Sequence, residues 1–417
     1  PTFQDNVYFD ANSFSATGQT VSISGSVADC KSMDWTGVTN APTFSIGNDL
    51  SIYGSLTFTP NMTVTSNSSY DLNFKSIQTG NTITFAGNEW KGNISFEGVN
   101  GEWTLQDSLS LNNTYKTIFV DEGTLNTSGN SISTGTFQVR NSATVNMSNT
   151  NLYCRYRFRI ESLNYNTENS TIYAVGSVFD EVVSKSNIRL VVMDQSNSAD
   201  VNGSGSWIGL YQRIDVRGTG VTTLYSLTSD SVIVYAGKTV EINGTVAIND
   251  YLSMSGSCTG LSSLRANSGT GILSSSSANI AVTYANIENI TATGGASFVA
   301  NDSYDLGGNS GWTINSTSAK DYYWVGDGGS WDDGSHWALS SGGAGSGCVP
   351  TYQDNVYFDF NSFSNTGQTV SISAGIAYSK TMDWSGVTNS PEFDIDNELN
   401  VYGSLTFSSN MTVTSNS

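Results

Sequence analysis

Charge is scarce in this sequence: of 417 residues, only 12% are Asp, Glu, Lys or Arg. Basic residues number 16 against 36 acidic ones, a formal net charge of −20. Nucleic acid demands clustered Lys and Arg, and anionic membrane surfaces attract basic segments, so neither is an expected partner. Long apolar runs are missing as well. None approaches the ~18 residues that a membrane-crossing helix needs, and no membrane insertion is expected. Helical periodicity is absent: no segment sustains apolar residues at 3.6-residue spacing. No secretion signal opens the sequence. Proline occurs five times and cysteine four times, at Cys30, Cys154, Cys258 and Cys348.

What the sequence has instead is Gly, Ser, Thr and Asn, with aromatic residues spread evenly between them. Such a composition could signal disorder, but regular apolar alternation argues for a packed chain. The acidic excess reads as solubility through self-repulsion, with divalent-cation binding in salt water as the alternative.

The strongest signal is internal duplication. PTFQDNVYFDANSFSATGQTVSIS at Pro1 returns as PTYQDNVYFDFNSFSNTGQTVSIS at Pro350, and the two stretches align without a gap at an offset of 349 residues, with 49 of 68 positions identical. A fixed period is the mark of an array. Pro1 and Pro350 share a phase, so the chain is expected to start inside a period. The position matching Cys30 is Ser379, so no disulfide framework recurs with the period. Free, packed thiols are expected; links between chains, or a Cys30 partner ahead of Pro1, are the alternatives.

The two copies also report local structure. Between residues 40 and 51 the unchanged positions are Asn40, Pro42, Phe44, Ile46, Asn48 and Leu50, and every residue between them changes. Period two is the side-chain period of a strand with one buried face. On this reading Asn48 and its counterpart Asn397 are buried asparagines stacked between coils.

Runs such as NVYF, TVSIS, PTFSI, DLSIY, SLTFT and NMTVT read as short strands separated by Gly, Asn and Ser turns. Short strands without helices fit a sandwich, a barrel or a solenoid. A sandwich domain of ~100 residues leaves no matching subperiod, whereas a coil of ~20–25 residues suits LSIYGSLTFTPNMTVTSNSSYDLNFKS, with corners at Gly54 and Asn61. The expected fold is an all-β, right-handed parallel β-helix in tandem units. Each unit would hold about 14 coils and measure roughly 65 Å at one strand spacing per coil. Residues 1–319 form the first unit, lacking its opening Trp-rich segment. Residues 320–349 form a Trp/Gly-rich junction, and 350–417 are the first coils of the next unit.

Three places carry a family resemblance. Tyr323-Trp324-Val325-Gly326, Gly329-Ser330-Trp331 and His336-Trp337, followed by Pro350 and Asp354-Asn355-Val356-Tyr357-Phe358, resemble a W-G…G-x-W…N-W…P…D-x-V-x-F pattern. That pattern opens the β-helical repeats of very large secreted bacterial adhesins and surface filaments, the grappling or gliding type among them. His336 stands where the pattern has Asn. Residues 289–298, through Gly311-Trp312, resemble the closing coils of pectin-lyase-like β-helices. The resemblance implies secretion to the cell surface and a structural or adhesive role. Its implied partners are copies of itself, end to end and side by side, and cell-surface glycans.

Pectin-lyase-like folds include polysaccharide-cleaving enzymes, which set two or three carboxylates on one strand face. Here the paired carboxylates, Asp332-Asp333, lie in the Trp-rich segment with His336 three residues on. No catalytic residue and no cofactor is assigned. Asp327, Asp332 and Asp333 are a candidate structural calcium site by their oxygen-rich, glycine-flanked setting. Trp324, Trp331 and Trp337 are expected to plug the junction where one solenoid abuts the next, because a solenoid end exposes apolar core. Arg155, Arg157 and Arg159 alternate with Cys154, Tyr156, Phe158 and Ile160 and form a basic stripe, read as scattered ion pairs or as a lateral contact to carboxylates of a neighbouring rod. The expected function is a structural or adhesive subunit of a secreted cell-surface filament. A carbohydrate-binding or carbohydrate-cleaving β-helix is the second reading, and a matrix or sheath protein the third.

Overall fold

In the computed structural model the chain is a parallel β-solenoid of about 17 turns, half of it strand. The structure describes residues 1–415 except 26–27, 112–114, 163, 175–177, 180–188, 193–198, 202–208, 277–278 and 374.

Each coil is a few short strands joined by sharp corners, and the strands pair in parallel from coil to coil, except that Trp337–Ala338 pairs antiparallel with Asp321–Trp324. Thr43 pairs with Thr63, Leu50 with Leu72 and Ile94 with Ile118. These coils take 20 to 24 residues; others take 14, between Phe298 and Trp312, or 27, between Leu56 and Ile83. Alternation aims every second side chain inward, so Phe44, Ile46, Leu50, Ile52 and Leu56 are buried. Like residues then stack on like: Phe74 lies on Phe96 with ring centroids 5.1 Å apart and planes 11° from parallel. Polar ladders run outside. Asn146 Nδ2 donates to Asn126 Oδ1 (2.6 Å), and Asn126 Nδ2 to Glu102 Oε1 (2.7 Å). Gly54 occupies the corner between Leu50–Ile52 and Leu56–Thr57; a Cβ there would lie 2.7 Å from the Lys31 carbonyl oxygen of the neighbouring coil.

Two expectations about faces are corrected. Neither Asn48 nor Asn397 is buried. The strand Thr43–Ile46 stops at Ile46, and residues 47–49 turn the corner, where Asn48 Oδ1 accepts the Asp49 N–H (2.9 Å). Asn397 does the same for Glu398 (2.9 Å). The strand Asn151–Ile160 also fails to alternate throughout. Thr134 pairs with Cys154 but Thr136 pairs with Arg157, so one extra residue is inserted and Tyr156 turns outward.

The chain makes two stacks. Core residues from Phe14 to Ala300 form one continuous cluster, with Trp312 and Ile314 packed against it. Core residues from Tyr322 to Phe393 form another. Among the described residues no strand pairing joins them. The first ladder ends at Trp312–Asn315, and the second begins at Asp321–Trp324. No helix among the described residues is long and apolar enough to cross a membrane.

Candidate functional site: the junction between the stacks

Residues 316–320 carry the chain from one ladder to the next, and contacts along residues 316–354 tie the two stacks together. The turn at Cys258 approaches Cys348, and the two form a disulfide with 4.8 Å between Cα atoms. The expectation of free thiols is thereby corrected for this pair; Cys30 and Cys154 are free and buried. Burial pushes the Cys30 thiol up to about 11 and raises Cys154 further, so both stay protonated and unreactive. Beside the disulfide, the Val349 N–H donates to the Cys258 carbonyl (2.9 Å).

Asp354 anchors the start of the second stack. It is 3% exposed, and its Oδ2 accepts from Thr351 N (2.8 Å) and Thr351 Oγ1 (2.6 Å). Its Oδ1 accepts the Lys320 N–H (2.7 Å). A buried carboxylate is tolerated when its lone pairs are filled in this way. The Gln353 amide reaches back to the Thr317 carbonyl.

Tyrosines make the rest of the contact. Tyr304 from the first stack meets Tyr352 edge-on at 5.7 Å, and Tyr352 meets Tyr402 at 5.4 Å. Tyr304 hydroxyl bonds Thr317 Oγ1 (2.8 Å). Burial pushes the Tyr378 phenol up to about 12, against a hydrogen bond with Ser263 of the first stack that lowers it. Burial likewise takes Tyr322 to about 12. A raised phenol pKa favours the folded state while the unfolded chain keeps its proton, and the advantage is lost as pH rises above the unfolded value. The junction should therefore loosen between about pH 10 and 12. Alkaline titration followed by amide exchange at Val349 checks this, and Tyr378→Phe should flatten the curve.

A cavity of about 330 Å³ lies between the stacks, lined among others by Lys238, Asn286, Trp331, Asp332 and Tyr378. Burial raises the Asp332 carboxyl above the usual range. Its sequence neighbour faces elsewhere. Asp333 caps a single 3-10 turn, Gly334–His336, accepting from Ser335 N (2.9 Å) and Ser335 Oγ (2.7 Å), and those bonds hold its carboxyl low. Asp327 is held low by Ser364, whose hydroxyl donates at 2.7 Å. Asp327 and Asp333 thus have separate partners, and Asp332 lines the cavity instead. Among the described residues no group of three His, Cys, Asp or Glu side chains could hold a metal ion. His336 stacks on Trp324 (4.7 Å, 6°) and donates through Nδ1 to the Val325 carbonyl (2.7 Å).

Trp324, Trp331 and Trp337 belong to the second core, and Trp331 also lines the cavity facing the first stack. Trp337 Nε1 donates to the Trp331 carbonyl (2.9 Å), and Trp324 and Trp337 both pack on Phe358 at 5.8 Å. The segment is a lid belonging to the stack that follows it.

The arginine stripe is partly engaged within the chain: Arg159 pairs with Glu161 at 2.7 Å. Sequence reasoning missed a tighter cluster. Asp215 has no exposed surface and is met by Arg213 at 2.6 Å and by Arg189 and Arg217 at 3.2 Å. The signal was present as Arg213-Ile214-Asp215-Val216-Arg217, which puts both arginines and the aspartate on one strand face.

No family model, curated protein or solved structure matches the chain.

Proposed function

We propose that this chain is part of a secreted mechanical or adhesive filament assembled from tandem β-solenoid units of about 349 residues. The observation that carries the reading is the junction. The repeated sequence does not trail off as a slack linker; it starts a second stack clamped onto the first by the Cys258–Cys348 disulfide, the Val349–Cys258 backbone bond and the tyrosine cluster. Disulfides persist in oxidising compartments, which supports an extracellular setting. Solenoid stability is a sum of local neighbour contacts, so added units lengthen the rod without a redesigned core. Its first partners on this reading are further copies of the same unit.

Electron microscopy of the protein as its source secretes it tests the reading. Long fibres with a density repeat of one unit are expected. Discrete globular particles at all concentrations would reject it.

A further inference from the structure

The first stack begins on an apolar face that the second stack, made from the same sequence, keeps covered. Val7, Phe9, Val21, Ile23 and Ala28 are all half-buried. Their counterparts 349 residues on are Val356, Phe358, Val370, Ile372 and Ala377, none of which is more than 1% exposed. The side chains in each pair are identical. What differs is the layer above them.

In the second stack that layer is the Trp-rich segment. Asp321–Trp324 adds a parallel strand to Asn355–Tyr357, with Tyr322 opposite Val356. Gly329–Ser330 pairs with Thr369–Ile372, with Gly329 opposite Val370. The Trp331 N–H then donates to the Ser371 carbonyl (2.8 Å), and the indole closes over Phe393 at 6.3 Å.

The face of the first stack has the same shape without that layer. Phe9 stacks on Trp35 at 3.7 Å, as Phe358 does on Trp384 at 3.4 Å. Trp35–Phe44 and Trp384–Phe393 are both 5.1 Å apart. Asn40 Nδ2 bonds the Phe14 carbonyl at 2.6 Å, matching Asn389 and Phe363 at 2.6 Å. A hollow of about 510 Å³ opens there, lined among others by Phe9, Val21, Ile23 and Met33. The polar anchor is set too. Asp5 Oδ2 accepts from Thr2 N and Thr2 Oγ1, each at 2.8 Å, as Asp354 does from Thr351. Among the described residues, the bond that Asp354 Oδ1 takes from Lys320 has no counterpart on Asp5, which is exposed.

We propose that this face is a docking site for a Trp/Gly-rich segment of the Lys320–Val349 sequence. It receives the segment in the register seen in the second stack: the Tyr322 position opposite Val7, the Gly329 position opposite Val21, and a backbone N–H on Asp5 Oδ1. Covering the five half-buried side chains drives the contact, and the preformed receiving surface keeps the ordering cost low. The proposal concerns how one stack is closed, and it stands whether or not the protein forms filaments.

The test extends the full chain ahead of Pro1 with a second copy of residues 318–349, carrying Cys348→Ser in the added copy. Amide exchange at Val7–Tyr8 and Thr20–Ile23 is compared with that at Asn355–Tyr357 and Thr369–Ile372. Protection of the first pair should rise at least tenfold, toward that of the second, and binding of an apolar fluorescent dye should fall. An extension with Trp324→Ala and Trp331→Ala in the added copy should behave like the unextended chain. Unchanged protection in the extended chain overturns the proposal. So does an equal gain from a Gly/Ser extension of the same length. Protection already present in the unextended chain, arising from self-association through this face, would assign the site to a second copy and overturn it as well.

Discussion

Trp331→Ala should unlatch the second stack while leaving the first intact. Trp331 is 1% exposed and packs against Trp337 at 4.7 Å and Phe393 at 6.3 Å. Its carbonyl also receives the Trp337 indole N–H. Truncating a buried Trp costs about 3–5 kcal/mol through lost burial and the cavity left behind. For a stack of this size, each kcal/mol moves the midpoint by about 4–8 °C, so the second stack should melt at least about 10 °C lower. The first stack supplies the internal reference: Val21 and Ile23, the counterparts of Val370 and Ile372, are half-buried there. In the variant, Val370 and Ile372 should come to resemble them. Near-UV circular dichroism against temperature, with amide exchange assigning each transition to its stack, measures the shift. A drop below about 2 °C would mean that the lid does not hold the stack closed.

The second large effect belongs to the disulfide. Cys258 and Cys348 are 90 residues apart and join elements of different cores. A crosslink over such a span contributes about 2–4 kcal/mol. Cys258→Ser together with Cys348→Ser should leave both cores folded and loosen their contact. Amide exchange at Val349 should quicken, and protection of Asn355 and Lys380, bonded in the neighbourhood of Asp354, should fall with it. Reduction of the parent protein should reproduce the change, and the double variant should be insensitive to reductant. Cys30 and Cys154, buried in the first core, should resist thiol reagents in both proteins until it unfolds. A parent protein indifferent to reductant at the junction would show that noncovalent contacts alone fix the stacks.

The architecture was legible because a parallel solenoid writes its geometry along the chain. The alternation at Pro42, Phe44 and Ile46 marks a buried face, and all three are buried. Comparing copies extended that face two residues too far. Asn48 is unchanged between copies because its side chain bonds the next backbone N–H at a corner, and period-two logic cannot distinguish a corner from a strand. The same blindness affected Arg155–Arg159, where one inserted residue sent Tyr156 outward. The Cys258–Cys348 pairing was not legible. Its recurrence would need positions before Pro1 and beyond Ser417, so the period could be checked only at Cys30. The tryptophans were recognisable as sealing residues, but which core they seal depends on the pairing of Asp321–Trp324 with Asn355–Tyr357, which separates two tracts by more than thirty residues. Of the Asp215 cluster, Arg213 and Arg217 could have been found from their alternation with Asp215; Arg189 comes from another coil.

A density map of a chain of three consecutive units, resolved well enough to trace strands, tests the central claim most directly. The account predicts separate rods, each opening under its own tryptophan lid and tied to its predecessor where Cys258 meets Cys348. An unbroken ladder running from the Trp312–Asn315 strand into Asp321–Trp324, with one core passing through, would contradict it.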